Sequence, residues 1–125
     1  MTYQFINISD EFLHFGAEII IISQRSSKFS AYKSLINQLL RSGTVAGANY
    51  EEACEADSKE DFIHQLHLSY KELREANYWL RLIRQSGILN TETTDNALAK
   101  SELLLNIIGK TLKQLNKEGE MKDKT

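Results

Sequence analysis

Proline is absent from this sequence of 125 residues, and cysteine occurs only once, at Cys54. Without proline no helix needs to be kinked by that residue, and a single cysteine excludes a disulfide within the chain. Glycine is scarce, with 6 residues, whereas alanine, leucine, glutamate and lysine, which favour helix, are plentiful. These absences indicate an all-α protein from a reducing compartment.

A strong charge of one sign and long apolar runs are also lacking. The formal net charge is −2 at pH 7, so the chain as a whole is not a general binder of polyanions. The longest apolar run, around Ile19 to Ile22, is far too short to span a bilayer, and the N-terminus shows no secretory signal. We therefore expect a cytoplasmic protein without a membrane-spanning segment.

Heptad-like spacing of apolar residues predicts four helices in a single domain, residues 1–125. The predicted helices cover 10–25, 30–56, 59–86 and 94–117, with a short arm at 1–9 and a frayed polar tail at 118–125. The apolar seams on these helices are Phe12, Phe15, Ile19 and Ile22; Tyr32, Ile36, Leu39, Gly43, Ala46, Tyr50 and Ala53; Phe62, Leu66, Ser69, Leu73, Ala76, Leu80 and Ile83; and Leu98, Ser101, Leu105, Ile108, Leu112 and Leu115. Because the connections are short, consecutive helices should be antiparallel neighbours, which predicts an up-and-down four-helix bundle.

Local signals mark the ends of the predicted helices. Ser58 and Asp61 form a capping box before the third helix, and Gly87 can take the left-handed conformation that ends it. The residues from Thr91 to Asp95 offer an N-cap for the fourth helix, and Gly119 is predicted to end that helix.

A run of small residues interrupts the second predicted helix between Ser42 and Ala48. Gly43 and Gly47 each lower helix stability by roughly 1 kcal/mol relative to alanine, so close approach of another helix is the expected compensation. The alternative is a loop that divides this segment into two shorter helices. If another subunit supplies the approaching helix, Gly43 belongs to the subunit interface.

The third predicted helix has more apolar surface than one core requires. Leu68, Trp79 and Leu82 lie on a flank away from the main seam, and Glu72 and Glu75 share that flank. A large aromatic side chain beside two carboxylates is typical of a contact surface, so this flank is predicted to meet another subunit. In the alternative interpretation Trp79 covers the edge of the monomer core and both glutamates are solvated.

The outer face of the same helix carries basic residues around an aromatic one. Lys71, Arg74, Tyr78 and Arg81 fall within about 80° of one another on a helical wheel. Basic side chains hold phosphates and a tyrosine can stack a base, so these four residues are a candidate nucleic-acid surface. The alternative is a solvated face with ion pairs, such as Lys71 with Glu75.

No pattern in the sequence indicates catalysis, a metal or a cofactor. Asp61 and His64 are spaced like part of a di-iron motif, but the fourth helix supplies Glu102 and no histidine, so we expect surface histidines instead. Cys54 has no histidine nearby in the sequence and is predicted to be a buried packing residue. Glycine-rich phosphate loops and the G-x-S-x-G motif are absent. The sequence therefore predicts a protein that is not an enzyme.

Two stretches of the chain resemble a known bacterial family. One is QLLRSGTVAGANYEEA, from Gln38 to Ala53; the other combines DFIH at 61–64 with KELREANYWL at 71–80. Both are similar to the four-helix bundle proteins first noticed as reading frames in intervening sequences of 23S ribosomal RNA genes. The order and spacing match over residues 30–116.

The resemblance implies a bundle with a left-handed twist that assembles as a ring, typically a homopentamer. At the matching positions it implies interface or structural roles for Arg41, Asn49, Glu72, Glu75, Tyr78 and Trp79. A related branch consists of accessory proteins of diversity-generating retroelements, which bind reverse transcriptase and nucleic acid through a basic ring. The net charge of −2 departs from that branch. The expected partners are further copies of the chain together with RNA or another protein; the alternative is a retroelement accessory protein.

Overall fold

Four α-helices make up the structure, a computed structural model in which residues 6–26, 32–89 and 91–123 are described. The helices are α1 (Ile8–Ser26), α2 (Lys33–Cys54), α3 (Lys59–Ser86) and α4 (Glu92–Asp123). These described ranges contain no strand, so the all-α class is confirmed. No helix within them is long and apolar enough to cross a membrane. Ser30, the predicted start of the second helix, lies outside the described residues.

Both ends of α3 are as the sequence predicts. Ser58 Oγ accepts a hydrogen bond from the Asp61 backbone N–H at 3.0 Å, which satisfies one of the amide groups that a helix start leaves unpaired. Gly87 has a φ of 74°, and its N–H donates to the Arg84 carbonyl oxygen. A residue with a side chain is strained at this φ, so glycine suits the position where α3 stops.

Helix α4 starts near its predicted position and ends beyond it. Thr91 Oγ1 accepts a hydrogen bond from the Thr94 N–H at 3.3 Å, which caps the helix. The prediction that Gly119 ends the helix is wrong, because α4 continues to Asp123. Gly119 lies among lysine and glutamate residues that favour helix, and a single glycine lowers helix stability by only about 1 kcal/mol. The predicted polar tail from residue 118 is therefore helical as far as Asp123.

Consecutive helices are antiparallel and pack side by side. Ser69 of α3 donates to the Ala46 carbonyl oxygen of α2 at 2.7 Å, and Asn77 of α3 donates to Ser101 of α4 at 2.9 Å. Helix α1 packs against both α2 and α4, so α1 and α3 occupy opposite corners of the bundle. The predicted antiparallel up-and-down four-helix bundle is confirmed.

The core is formed by apolar side chains that recur every three or four residues on each helix. The predicted seam of α1 is buried throughout, and that of α3 is buried except for Phe62, which is half-buried. Tyr50 is half-buried near the C-terminal end of α2, and Tyr32 is exposed at the residue just before α2 begins. The largest fully buried apolar side chains are Phe15, Ile19, Ile22, Leu39, Leu66, Leu73, Leu80, Ile83, Leu104 and Ile108.

The core face of α4 differs from the prediction. The buried positions of this helix are Thr94, Ala97, Ser101, Leu104, Ile108 and Leu112. Leu98 and Leu105, which the predicted seam includes, are only half-buried. Leucine occupies three successive positions from Leu103 to Leu105, and spacing alone does not decide which of them points inward. The predicted seam is therefore displaced by one residue over part of the helix.

Helix α2 is continuous through its run of small residues, so the alternative with an internal loop is wrong. Gly43 and Gly47 lie where α2 passes close to α1. A Cβ atom on Gly43 would be 2.8 Å from Ile19 Cγ1, and one on Gly47 would be 3.3 Å from Phe12 Cβ. The close approach of α1 accounts for both glycines within a single chain.

Candidate functional site

The residues predicted as a nucleic-acid surface lie together on the outer side of α3, and this surface is named the α3 basic face. Lys71, Arg74, Tyr78 and Arg81 are all exposed. They line an open groove of about 890 Å³ that reaches Leu105 of α4. The structure thus brings these four residues together as the helical wheel predicts.

Arg81 is held in place by contacts that begin in the core. Asn77 is buried, and its amide nitrogen donates to Ser101 Oγ at 2.9 Å. The amide oxygen of Asn77 accepts a hydrogen bond from Arg81 Nε at 2.9 Å. The guanidinium carbon of Arg81 lies 5.8 Å from the centre of the Tyr78 ring, within the range of a cation–π contact. Arg81 and Tyr78 are therefore presented to solvent as a positioned pair.

Lys71 and Arg74 form no ion pair with any carboxylate of the described residues. The alternative interpretation pairs Lys71 with Glu75, but Glu75 is bound to Arg41 of α2 instead. The lining of the groove therefore holds three cationic side chains and one carboxylate. Such a balance attracts anions locally, although the whole chain is slightly acidic.

The flank of α3 that faces α2 holds the carboxylates predicted at a subunit contact. Arg41 Nη2 lies 2.9 Å from Glu72 Oε2 and 2.8 Å from Glu75 Oε2. The hydrogen bond to Glu72 is the main cause that raises the pKa of Arg41 above its ordinary value. Trp79 Nε1 donates to Glu75 Oε1 at 3.3 Å. Both glutamates thus have partners within their own chain, and each partly exposed ion pair stabilises the fold by at most about 1 kcal/mol.

Three apolar residues of the same flank, Leu68, Trp79 and Leu82, are named the α3 apolar flank. Trp79 is half-buried and packs against the core, and its ring forms an edge contact with the Tyr78 ring at 5.2 Å between centroids. Leu68 is half-buried, while Leu82 is exposed. Trp79 therefore covers the edge of the monomer core, and the flank still leaves Leu82 and part of the indole ring open to a further contact.

Two α2 residues predicted at a subunit contact lie in different surroundings. Gly43 is buried against Ile19 of α1, so it offers no surface to another subunit, and this part of the prediction is wrong. The reason for the glycine is the close approach of two helices of the same chain. Asn49 is half-buried on α2, and its place at a contact stays a prediction.

Cys54 is exposed, which corrects the prediction that it is buried. The neighbouring Ala53 takes the core position, and Cys54 follows about 100° further around the helix. Burial first, and then a hydrogen bond with Cys54, raise the pKa of Tyr50 to about 12. The Tyr50 ring stacks on Phe12 with 5.2 Å between the ring centroids. Cys54 is thus hydrogen-bonded to Tyr50, whose ring packs against Phe12 near the end of α2.

Two histidines of α3, His64 and His67, are exposed, as expected for surface histidines. Asp61, three residues before His64, is exposed as well. Across the part of the chain that the structure describes, no group of three or more His, Cys, Asp or Glu side chains could hold a metal ion.

An apolar surface on α1 is absent from the sites predicted from the sequence. Leu13 is 71% exposed and Ile20 is 53% exposed. Together with Ala17 they line an open groove of about 670 Å³ whose other wall is α2, and this surface is named the α1 apolar groove. The signal was the run Ile19–Ile22: four successive residues span about 300° of a helix, so they cannot all face one core.

Comparison with known proteins agrees with this architecture. The sequence profile of the family described as 23S rRNA-intervening sequence protein matches residues 6–110 of this chain. A crystal structure is known for a similar protein from Bacteroides thetaiotaomicron, which is described as a protein of unknown function from the S23 ribosomal protein family. Its sequence is 29% identical to this chain, and the two structures superpose with a TM-score of 0.79. The similarity covers 86% of this chain and 99% of that one. A search of curated proteins gave no match.

The fold and its surfaces define a helical bundle whose most prominent features are open grooves. The family match extends over most of the chain, from the first described residues into the second half of α4. The chain belongs to the 23S rRNA-intervening sequence protein family, which confirms the resemblance drawn from its two signature stretches.

Proposed function

We propose that this protein is a non-enzymatic interaction module of the cytoplasm, a homo-oligomer that binds RNA or a protein partner. The observation that carries the proposal is the apolar surface that one subunit leaves open, above all Leu82 and part of Trp79 on the α3 apolar flank. Contiguous apolar patches on a soluble subunit mark interaction sites. The proposed number of five subunits rests on the family resemblance alone.

The chemistry of the open grooves supports binding in preference to catalysis. The α3 basic face combines three cationic side chains with an aromatic ring, and the α1 apolar groove is lined mostly by apolar and small side chains. Such groups hold a partner by charge, stacking and apolar contact. None of these interactions by itself activates a nucleophile or moves a proton.

Assembly is tested by Trp79→Ala, which is expected to lower the average mass of the particle. The substitution removes the largest side chain of the α3 apolar flank and its hydrogen bond to Glu75. Light scattering after size-exclusion chromatography, at micromolar concentration, should give the wild type a mass about five times the 14.3 kDa of the chain. Leu103→Ala is the matched control, because Leu103 is an exposed apolar residue of α4 outside both named grooves. A wild type that elutes as a 14.3 kDa monomer contradicts the proposal.

A second candidate function is direct binding of nucleic acid at the α3 basic face. The specific observation in its favour is that Arg81 is fixed beside Tyr78 while Lys71 and Arg74 have no carboxylate partner among the described residues. Cationic side chains around an exposed ring suit a phosphate backbone with a base that stacks.

Arg74→Glu is expected to weaken the binding of a structured RNA by about tenfold or more at low salt, because one phosphate contact is lost and a repulsive charge is added. The slope of log affinity against log salt concentration should also fall by about 1. Fluorescence anisotropy measures both quantities. Lys113→Glu, on an exposed position of α4, makes the same change of charge away from the groove and controls for net charge. Equal affinity of Arg74→Glu and wild type refutes this site.

If the protein binds nucleic acid, an alternative role is that of an accessory protein of a reverse-transcriptase retroelement. The α3 basic face supplies a local patch for that role, but the net charge of −2 does not suit a strongly basic ring. A reverse-transcriptase gene beside the gene of this protein would favour the retroelement role. A position within a ribosomal RNA gene would favour the role proposed first.

A further inference from the structure

A chain of hydrogen bonds connects the core of the bundle to the α3 basic face. Ser101 Oγ of α4 donates to the Leu98 carbonyl oxygen at 2.7 Å and accepts from the amide nitrogen of Asn77 at 2.9 Å. The amide oxygen of Asn77 accepts from Arg81 Nε at 2.9 Å. Two buried polar residues, Ser101 and Asn77, are thus linked to an exposed guanidinium group.

The direction of this chain is fixed by the hydrogens that are available. A serine hydroxyl has one hydrogen, and that of Ser101 is used on the Leu98 carbonyl oxygen, so toward Asn77 the hydroxyl oxygen acts as acceptor. The amide nitrogen of Asn77 must therefore face Ser101, and this leaves the amide oxygen facing outward. An oxygen in that place requires a donor, which the N–H group at Arg81 Nε supplies.

The bond to Asn77 leaves the charged end of Arg81 available to a ligand. A guanidinium group has five N–H donors, and Nε supplies one of them, so four remain on the two terminal nitrogens. Arg81 forms no ion pair with a carboxylate of residues 6–26, 32–89 and 91–123. The Tyr78 ring, 5.8 Å from the guanidinium carbon, further restricts the side chain. Arg81 therefore presents its donors as a fork in one orientation, which suits the oxygens of a phosphate.

Arg81 lies on the side of α3 that faces α4, because it is bonded to Asn77, whose other partner belongs to α4. The α3 apolar flank lies toward α2, about 160° away around the helix at Trp79 and about 100° away at Leu82. A subunit contact at that flank therefore leaves Arg81 open to a different ligand. Arg74 lies two turns before Arg81 and within about 20° of it, so a second cation shares this side of the helix.

We propose that Asn77 is a positioning residue of the nucleic-acid site and holds Arg81 in the orientation that binds a backbone phosphate. The inference rests on the second candidate function, direct binding of nucleic acid at the α3 basic face, and adds to it a residue that does not touch the ligand. A long side chain such as arginine loses rotamer freedom when it is immobilised by a ligand. In this chain the core has already fixed Arg81, so less freedom is lost when a phosphate binds.

Asn77→Ala is expected to weaken the binding of a fluorescein-labelled RNA stem-loop about fivefold at low salt, because Arg81 becomes mobile. The slope of log affinity against log salt concentration should stay that of the wild type, since every cationic group is still present. Arg81→Ala, in contrast, should lower the magnitude of that slope by about 1, because one phosphate contact is lost. Fluorescence anisotropy over a series of salt concentrations measures both quantities.

Two controls separate the positioning of Arg81 from a general effect on the core. Ser101→Ala removes the other partner of Asn77 and leaves the bond between Asn77 and Arg81 in place, so its RNA affinity should equal that of the wild type. In the Arg81→Ala background, Asn77→Ala should have no further effect on affinity, because the side chain that it positions is already absent.

Arg81→Lys keeps the test decisive if circular dichroism shows that Asn77→Ala does not fold. Arg81 is exposed, so this substitution should leave the fold intact. Lysine keeps the positive charge, but it has a single ammonium group and cannot donate to Asn77 through one nitrogen while others bind a phosphate. The RNA affinity should fall about fivefold with an unchanged salt slope.

The outcomes distinguish this inference from the function on which it rests. A wild type that binds no RNA at low salt overturns both. If Arg74→Glu weakens binding while Asn77→Ala or Arg81→Lys binds like the wild type, the inference is wrong and the second candidate function stands. Equal losses for Ser101→Ala and Asn77→Ala, or a further loss from Asn77→Ala in the Arg81→Ala background, assign the effect to the packing of the core and also overturn the inference.

Discussion

Replacement of Leu104 by alanine is expected to lower the free energy of unfolding by about 3 kcal/mol. The Leu104 side chain is fully buried at the centre of the core face of α4. Its loss removes apolar burial and leaves a cavity that the surrounding helices close only in part. Urea unfolding followed by circular dichroism, at one fixed protein concentration, measures the change.

Leu105→Ala provides the control, since it makes the same chemical change one residue later. Leu105 is half-buried at the edge of the bundle, where solvent already reaches the side chain. The expected loss is about 1 kcal/mol, because less apolar surface returns to water. Equal losses for the two variants, or a larger loss for Leu105→Ala, contradict the register of α4.

Gly43→Leu is expected to destabilise the subunit by about 3 kcal/mol or more. The first carbon of any side chain at this position would lie 2.8 Å from Ile19 Cγ1, and Ile19 is fully buried, so α1 and α2 must separate. The gain of up to about 1 kcal/mol from removing a helical glycine does not offset this strain. The same urea experiment measures the loss.

Gly119→Leu is the matched control, because a Cβ atom at Gly119 would have no atom within 4 Å. A change within about 0.5 kcal/mol is expected for that variant. The sequence predicts that Gly43→Leu weakens assembly, whereas the structure predicts that it unfolds the subunit. A stable Gly43→Leu variant whose only defect is a lower mass contradicts the packing of α1 on α2.

The fold could be predicted from the sequence because its signals are local. Ser58 and Gly87 bound α3 through a hydrogen bond within one turn and a backbone angle at one residue, and both depend only on nearby residues. The register of α4 is harder to predict, since three successive leucines, Leu103 to Leu105, leave open which of them points into the core. The register is decided by the packing of α4 against residues of α1 and α3, which are distant from these leucines in the sequence.

The same distinction applies to the candidate site. Lys71, Arg74 and Arg81 could be grouped in advance because they share one face of one helix. The ion pairs of Arg41 with two glutamates of α3 join separate helices, so the pairing cannot be derived from the sequence, although the resemblance implies an interface or structural role for Arg41. The predicted burial of Cys54 is wrong because a difference of one residue at a helix end turns a side chain by about 100°.

The order of the helices along the chain also affects how quickly the chain folds, and so the timing of the proposed assembly. Each helix packs on the one that follows it, and the contact of α1 with α4 joins the two ends of the bundle. Helical chains with mostly local contacts fold in microseconds to milliseconds, and this sequence has no prolyl bond whose isomerisation would add a phase of tens of seconds. Synthesis at about 5–20 residues per second takes far longer than that. In the proposed homo-oligomer, each subunit is therefore expected to be folded before it contacts another copy, so protein concentration and not folding sets the rate of assembly.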